Sequence, residues 1–423
     1  LLVHECAKTA LEVIESNMSL LVHGGMATPS TLLEGLKEHA YRLENVELLH
    51  LHTHGDAFYA DKSYEASFRV TNFFVGGNVR KHLDYNRVDY LPCFLSEIPN
   101  LIKSGNKKVN VALIQVSPPN KHGFCSLGTS VDIMKAGVEA ADIVIAQVNT
   151  KMPTIHGDGI IHVSQIDHAI FVDEPLHHPV AREITEDEKR IGQFIAGIIE
   201  DGSTLQMGIG SIPDAVLNAL TTHKDLGIHT EMYSDGAIDL LERGVVNNKK
   251  KKFHQGKSVS SFLMGSQKLV DYVDNNPSTI LLGADYVNNP RNIARNPKVV
   301  AINSAIEVDL TGQVCADSLG HQIYSGVGGQ MDFIRGASLS EGGKPIIALL
   351  SQTGRGHSKI SACLKPGAGV VTTRAHIHYV VTENGVANLY GKSLHERAKA
   401  LIEIAHPDHR ENLEREWFNN YCK

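Results

Sequence analysis

The sequence has no C-x-x-C pair, no apolar run near the roughly 18 residues that a membrane-spanning helix needs, and no excess of basic residues. Its six cysteines, at 6, 93, 125, 315, 363 and 422, are scattered. That excludes a small disulfide scaffold and suits free thiols in a reducing compartment. A formal net charge of −7 argues against a nucleic-acid binder whose affinity comes from neutralising phosphates. Neither of the glycine loops at 208–210 and 326–329 reads G-x-G-x-x-G or is followed by a Walker lysine, so dinucleotide and ATP folds lack their signatures there. What remains is an ordinary globular composition, 42% hydrophobic and 21% charged, over 423 residues, enough for two or three domains. The chain opens on Leu1-Leu2-Val3-His4 rather than Met, which leads to the expectation of a trimmed or processed N-terminal segment.

The chain is organised around residues 205–236. There Gly208-Ile209-Gly210 leads into Ser211-Ile212-Pro213-Asp214. Ser211 is placed as an N-cap and Asp214 as the acid of a capping box, ahead of Ala215, Val216, Ala219 and Leu220 at helical spacing. After Asp225-Leu226-Gly227, the run Ile228-His229-Thr230 reads as a strand with Glu231 at its C-terminal end. Ligands of open α/β sheets bind beyond the carboxyl ends of strands, and helix N-termini favour anions. Glycine loop and carboxylate are therefore expected to face one pocket. Glu231 is either a surface acid or a nucleophile in a desolvated site, where a carboxylate can attack an activated acyl group. A second glycine loop, Gly326-Val327-Gly328-Gly329, is either a structural turn or a set of N–H donors for an oxyanion.

Shifted by 184 positions, Gly24, Pro29, Leu33, Leu36 and His39 fall on Gly208, Pro213, Leu217, Leu220 and His223. A few residues of slack then place His52-Thr53-His54 on His229-Thr230-Glu231. This repeat predicts an α/β protein: two similar open α/β domains with mostly parallel sheets, and the active site in the cleft between them. The expected domains are 1–185 and 186–423, the second carrying Glu231, with 173–188 as linker. Helices are predicted over 5–15, 187–200 and 397–404. Strands are predicted over 19–23, 109–116, 143–147, 169–172, 278–282, 299–302, 345–350, 369–372 and 378–382.

His52 and His54, with His376, His378, His156 and His162, could be read as ligands of a metal-dependent hydrolase. The repeat accounts for His52 and His54 without a metal, so none is expected. Residues 249–252, four lysines, read as a solvated turn, with an electrostatic rim for a polyanion as the alternative.

Together these segments resemble the acetyl-CoA hydrolase/transferase family. The resemblance is carried by the motifs at 208–214, 229–236 and 326–333, by Asn303-Ser304-Ala305-Ile306-Glu307-Val308-Asp309, and by Thr382-Glu383-Asn384-Gly385. Within the family it is nearest to 4-hydroxybutyrate and acetate-type CoA-transferases. It implies class I CoA transfer with Glu231 as the catalytic glutamate and a covalent glutamyl-CoA thioester. It places CoA contacts on Gly208, Ile209, Gly210, Ser211, Ile212, Ile306 and Gly329, with Gly328 beside it. A loop lysine of relatives has no clean counterpart in the shorter segment 351–358, and Lys359 or Arg355 takes its place. The resemblance further implies a homodimer acting on acyl-CoA and small carboxylic acids, with CoA as substrate and no cofactor bound permanently. Nucleic acid and membrane are not expected partners. The compartment expected is the bacterial cytoplasm, or the mitochondrial matrix in a eukaryote. The alternatives are an acyl-CoA hydrolase with the same nucleophile, a metal-dependent hydrolase, and a non-catalytic acyl-CoA-binding protein.

Overall fold

The computed structural model describes residues 1–423 except Ala181, Ile209 and Lys423. The chain divides into two compact units. One comprises Leu1–Pro179, Met232–Asp235 and Val259–Val287; the other comprises Val180–Glu231, Gly236–Ser258 and Asn288–Lys423. A single cut at 185 assigns 232–235 and 259–287 to the second half. They pack in the first unit because Met232–Tyr233 pairs with Phe262–Leu263, and Thr279–Leu281 pairs with His156–Gly157.

The first unit is built on an eight-stranded sheet of β1 (Leu2–Val3), β2 (Ser19–Val22), β3 (Val46–His50), β4 (Phe68–Asn72), β5 (Val88–Tyr90), β6 (Val111–Val116), β7 (Ile143–Asn149) and β8 (His168–Val172). Their order is β1-β8-β7-β6-β2-β3-β4-β5, and every pairing is parallel. Parallel sheets are covered on both faces, which is why β6, Val-Ala-Leu-Ile-Gln-Val, is buried at every position. Helix α1 (Ser30–Glu38) buries Leu32, Leu33 and Leu36 in the same core as Leu20, Val46, Leu48 and Val111. Each such side chain contributes about 1.5–3 kcal/mol on full burial. The helix predicted over 5–15 is only Ala7–Ala10. Its predicted face is interrupted as the chain turns toward Asn17, which adopts φ +65°.

The second unit repeats the plan with β9 (Thr204–Met207), β10 (Gly227–Ile228), β11 (Val299–Ser304), β12 (Lys344–Ala348), β13 (Tyr379–Thr382) and β14 (Gly385–Asn388). The order is β10-β9-β11-β12-β13-β14, parallel except for the last pair. Helix α2 (Glu186–Ile198) starts in a complete capping box between Thr185 and Glu188. It lies so close to α3 (Ser211–Ala219) that a Cβ on Gly192 would fall 2.6 Å from the Ala215 carbonyl. The predicted strand at 369–372 is reduced to one bridge between Thr372 and Val314, because the successive N–H groups of Val371 and Thr372 both turn to the single Val314 carbonyl rather than along a ladder. No helix among the described residues is long and apolar enough to cross a membrane.

Candidate active site

In the second sheet β9 lies between β10 and β11, so strands counted along the chain run 2-1-3-4-5-6. The chain therefore leaves β9 and β11 toward opposite sides, and the crevice at their carboxyl ends is where ligands of such sheets bind. Gly208 stands there, its N–H donating to the Ile302 carbonyl at 3.0 Å. Gly210 has φ +118°, a conformation that glycine adopts without strain. Ser211 is not the N-cap: Gly210 holds that position, and Ser211 is the first helical residue. Its hydroxyl donates instead to the buried Glu188 carboxylate of α2. Ile212 follows half-buried, and Ile209 lies outside the described residues.

Strand β10 ends at Ile228, so Glu231 stands three residues beyond it rather than at its last residue. Two side chains carry the alignment onward. The Thr230 hydroxyl accepts from the Met207 N–H at 3.1 Å and donates to the Met207 carbonyl at 3.2 Å. The His229 ring lies 6.2 Å from that of Phe333. Glu231 is half-buried, and its Oε2 accepts a hydrogen bond of 2.7 Å from Asn288 Nδ2, on a residue with no exposed surface.

Gly329 backs directly onto this pair. A Cβ there would lie 1.7 Å from Glu231 Oε2 and 2.2 Å from Asn288 Nδ2. Gly329 is also the N-cap of the ten-residue helix α5 (Gln330–Leu339), which follows α4 (Pro290–Ala294) along the chain. A helix N-terminus favours negative charge, in a carboxylate or in an oxyanion derived from it. Gly328, at φ +54°, makes the turn before it.

Gln330 Nε2 donates to the Ser304 carbonyl at 2.7 Å, tying the start of α5 to the end of β11, two residues before Ile306. The Ile306 N–H donates to Cys315, and the next strand, Glu307–Asp309, lies beside Ile360–Ser361. There the Val308 N–H donates to the Lys359 carbonyl. Gly208, Glu231, Gly328, Gly329 and Ile306 are thus joined by direct contacts or short links, and Lys359 stands one strand further on. Burial lowers the Lys359 ammonium pKa, opposed by the charge of Glu383. Arg355 is exposed at the loop tip.

Two features were not legible beforehand. Asn288 precedes Asn289-Pro290, where Asn289 caps α4 and Pro290 starts it; the cap explains one asparagine of the pair and leaves the other over. Lys251 corrects the solvated-turn reading of 249–252, since it is 1% exposed while Lys249, Lys250 and Lys252 are exposed. Among the described residues no group of three His, Cys, Asp or Glu side chains is arranged to hold a metal ion. Burial pushes the His50 and His54 pKa values down to about 3 and about 4, so both rings are neutral near pH 7.

Residues 4–196 match the acetyl-CoA hydrolase/transferase N-terminal domain, and residues 265–417 match the C-terminal domain of the same family. The chain is 51% identical to the succinyl-CoA:acetate/propanoyl-CoA:succinate CoA transferase of Fasciola hepatica, over 96% of this chain and 86% of that one. This chain belongs to the acetyl-CoA hydrolase/transferase family. It is also 48% identical to the 4-hydroxybutyrate coenzyme A transferase of Clostridium kluyveri, over 97% of this chain and 96% of that one. Among solved structures, the family's 4-hydroxybutyrate CoA-transferase from Porphyromonas gingivalis superposes with a TM-score of 0.85 at 38% identity, covering 99% of this chain and 98% of that one. The two family domains leave 197–264 between them, the stretch that holds Glu231.

Proposed function

We propose that the chain is a CoA-transferase that moves CoA between a short-chain acyl-CoA and a free carboxylate, through a glutamyl-CoA thioester on Glu231. The observation that carries the reading is the triplet of Glu231, Asn288 and Gly329: a carboxylate held by a buried amide donor, against a glycine at a helix N-terminus. The similarity to named CoA transferases supports the reaction class.

In the first step a Glu231 oxygen attacks the thioester carbonyl, the C–S bond breaks, and an acyl–glutamyl anhydride and CoA thiolate result. The thiolate then attacks the glutamyl carbonyl, releasing the first acid and leaving the glutamyl thioester. An incoming carboxylate reverses both steps and departs as the new acyl-CoA. A carboxylate is already ionised near neutral pH, so the nucleophile needs no base. Each tetrahedral intermediate carries an oxyanion, for which Asn288 Nδ2 and the N–H groups around Gly329 are the donors at hand. The loop of Gly208, Ile209, Gly210, Ser211 and Ile212, with Ile306 and Lys359, is the proposed CoA contact surface. The exchange conserves oxidation state and needs no permanently bound cofactor. The assembly proposed is a homodimer; light scattering that returns one chain mass of 46.1 kDa overturns it.

The test is an incubation with propionyl-CoA and isotope-labelled acetate, followed by mass spectrometry. Labelled acetyl-CoA forming in step with propionate, together with one CoA-thioester adduct on the Glu231 peptide, is the expected result. Free CoA accumulating at the same rate with or without acetate makes the protein a hydrolase. Activity that falls on chelation but survives Glu231→Ala makes it a metal enzyme.

A further inference from the structure

Strand β10 leads to Glu231, three residues beyond its end, yet it is two residues long and the last strand of its sheet. One side pairs with β9 through Thr204↔Gly227 and Leu205↔Ile228. On the other side the polar groups of Ile228 are met by side chains. The Ile228 N–H donates to Asn248 Oδ1 at 2.8 Å, and the Ile228 carbonyl accepts from Lys251 Nζ at 2.7 Å. The same ammonium donates to the Lys257 carbonyl at 2.7 Å, and Asn248 Nδ2 donates to Ser258 at 3.2 Å. Gly227 makes room for this arrangement, because a Cβ there would lie 2.8 Å from Lys251 Cγ and 2.9 Å from Cδ. Asn248 adopts φ +59°, a turn that delivers its side chain to the strand edge.

We propose that Lys251, with Asn248, is a positioning residue for Glu231: the two side chains stand in for a neighbouring strand on β10 and fix the segment that carries the carboxylate. An apolar side chain would fill the same space but would take this donor from the buried Ile228 carbonyl and from the Lys257 carbonyl. Burial drives the Lys251 pKa down to about 7, and above that pH the neutral amine still carries two N–H groups, one for each carbonyl. Once the strand edge slips, Glu231 moves relative to Asn288 and Gly329, and a displacement of about 1 Å at a reacting atom costs on the order of 10²-fold in rate. Lys251 touches no substrate in this scheme. It acts through β10.

The inference rests on Glu231 being the nucleophile, so the experiment separates the two. Wild type, Lys251→Met and Asn248→Gly are incubated with propionyl-CoA, and glutamyl-CoA adduct per chain is titrated before turnover is measured. The glycine variant tolerates the positive φ and removes only the side chain. The expected result is adduct on wild-type Glu231, a kcat per titrated site reduced at least about ten-fold in Lys251→Met and less in Asn248→Gly, and KM values for acyl-CoA and acetate within about two-fold. Should Lys251→Met fail to fold, the Asn248→Gly split between kcat and KM decides alone. No adduct in wild type overturns the nucleophile. Adduct in wild type with unchanged kcat per site in the variants overturns the positioning role.

Discussion

The two sheets share a core order yet differ at the strand from which each candidate site segment departs. In the first unit β3 is five residues long and is paired by β4 along its whole length, from Val46↔Phe68 to His50↔Asn72. It ends in His50, and His52 and His54 follow. In the second unit β10 has two residues and, in place of a further strand, the side chains of Asn248 and Lys251. It leads to Glu231. A continuous ladder holds β3 through its backbone, whereas the outer edge of β10 is met at Ile228 by two side chains.

Substituting Glu231 breaks the comparison most severely. Glu231→Ala is expected to lower CoA exchange by more than about 10³-fold, since loss of a covalent nucleophile leaves only binding and oxyanion stabilisation. An initial-rate assay with propionyl-CoA and acetate checks it, and residual exchange of a few per cent rules out the covalent route. Gly329→Ala comes next. Its Cβ would overlap both Glu231 Oε2 and Asn288 Nδ2, so about 10²-fold is expected in kcat with folding largely kept. In the first unit, Gly24→Ala, at the repeat counterpart of Gly208, meets the His52 carbonyl at 2.7 Å and is expected to show in the melting temperature instead. Asn288→Ala removes one donor from the carboxylate and is expected to cost about 10–10³-fold in kcat, read at saturating acyl-CoA.

The order of these effects bears on what the sequence could disclose. Glycine loops and hydrophobic strand runs are local patterns, so the sheets and α3 could be anticipated; the same patterns set Glu231 opposite the Gly208–Gly210 loop, and Gly329 joined that site only through the family resemblance. Lys251 could not be anticipated, because a run of four lysines looks solvated until the stem of one is found lying across Gly227. Ser211 looks like a cap in isolation, and only the approach of α2 shows that its hydroxyl is taken by Glu188. Such misreadings arise where a tertiary contact overrides a local preference. Asn288 is a different case: its partner lies 57 positions away, and no short-range signal pairs them.

A smaller effect separates the two strand edges by pH. The Lys251 ammonium has a folded-state pKa of about 7 against an ordinary 10.5. Between those values the unfolded chain binds the proton and the folded chain does not, so wild-type stability rises with pH across that window. The slope is at most about 1.4 kcal/mol per pH unit from this group. Lys251→Met removes that rise, and urea unfolding from pH 7 to 9 measures it. A wild-type curve parallel to that of the variant would mean that the amine is solvated.

The smallest expected effect lies at the matching position of the first unit, on the acid side. Burial, with repulsion from His52 and His177, pushes His54 down from 6.5 to about 4. In that window the unfolded chain takes up a proton that the folded chain refuses, so stability falls as pH drops from 6.5 toward 4. His54→Gln is expected to flatten this part of the curve while leaving the alkaline rise due to Lys251 intact. His54 is only half-buried, so solvent weakens the contribution, and the comparison depends on the difference between two titration curves rather than on a single midpoint. If His54→Gln left the acid limb unchanged, the ring would be titrating as in water, and the strand end after β3 would be wetter than its packing against His177 implies.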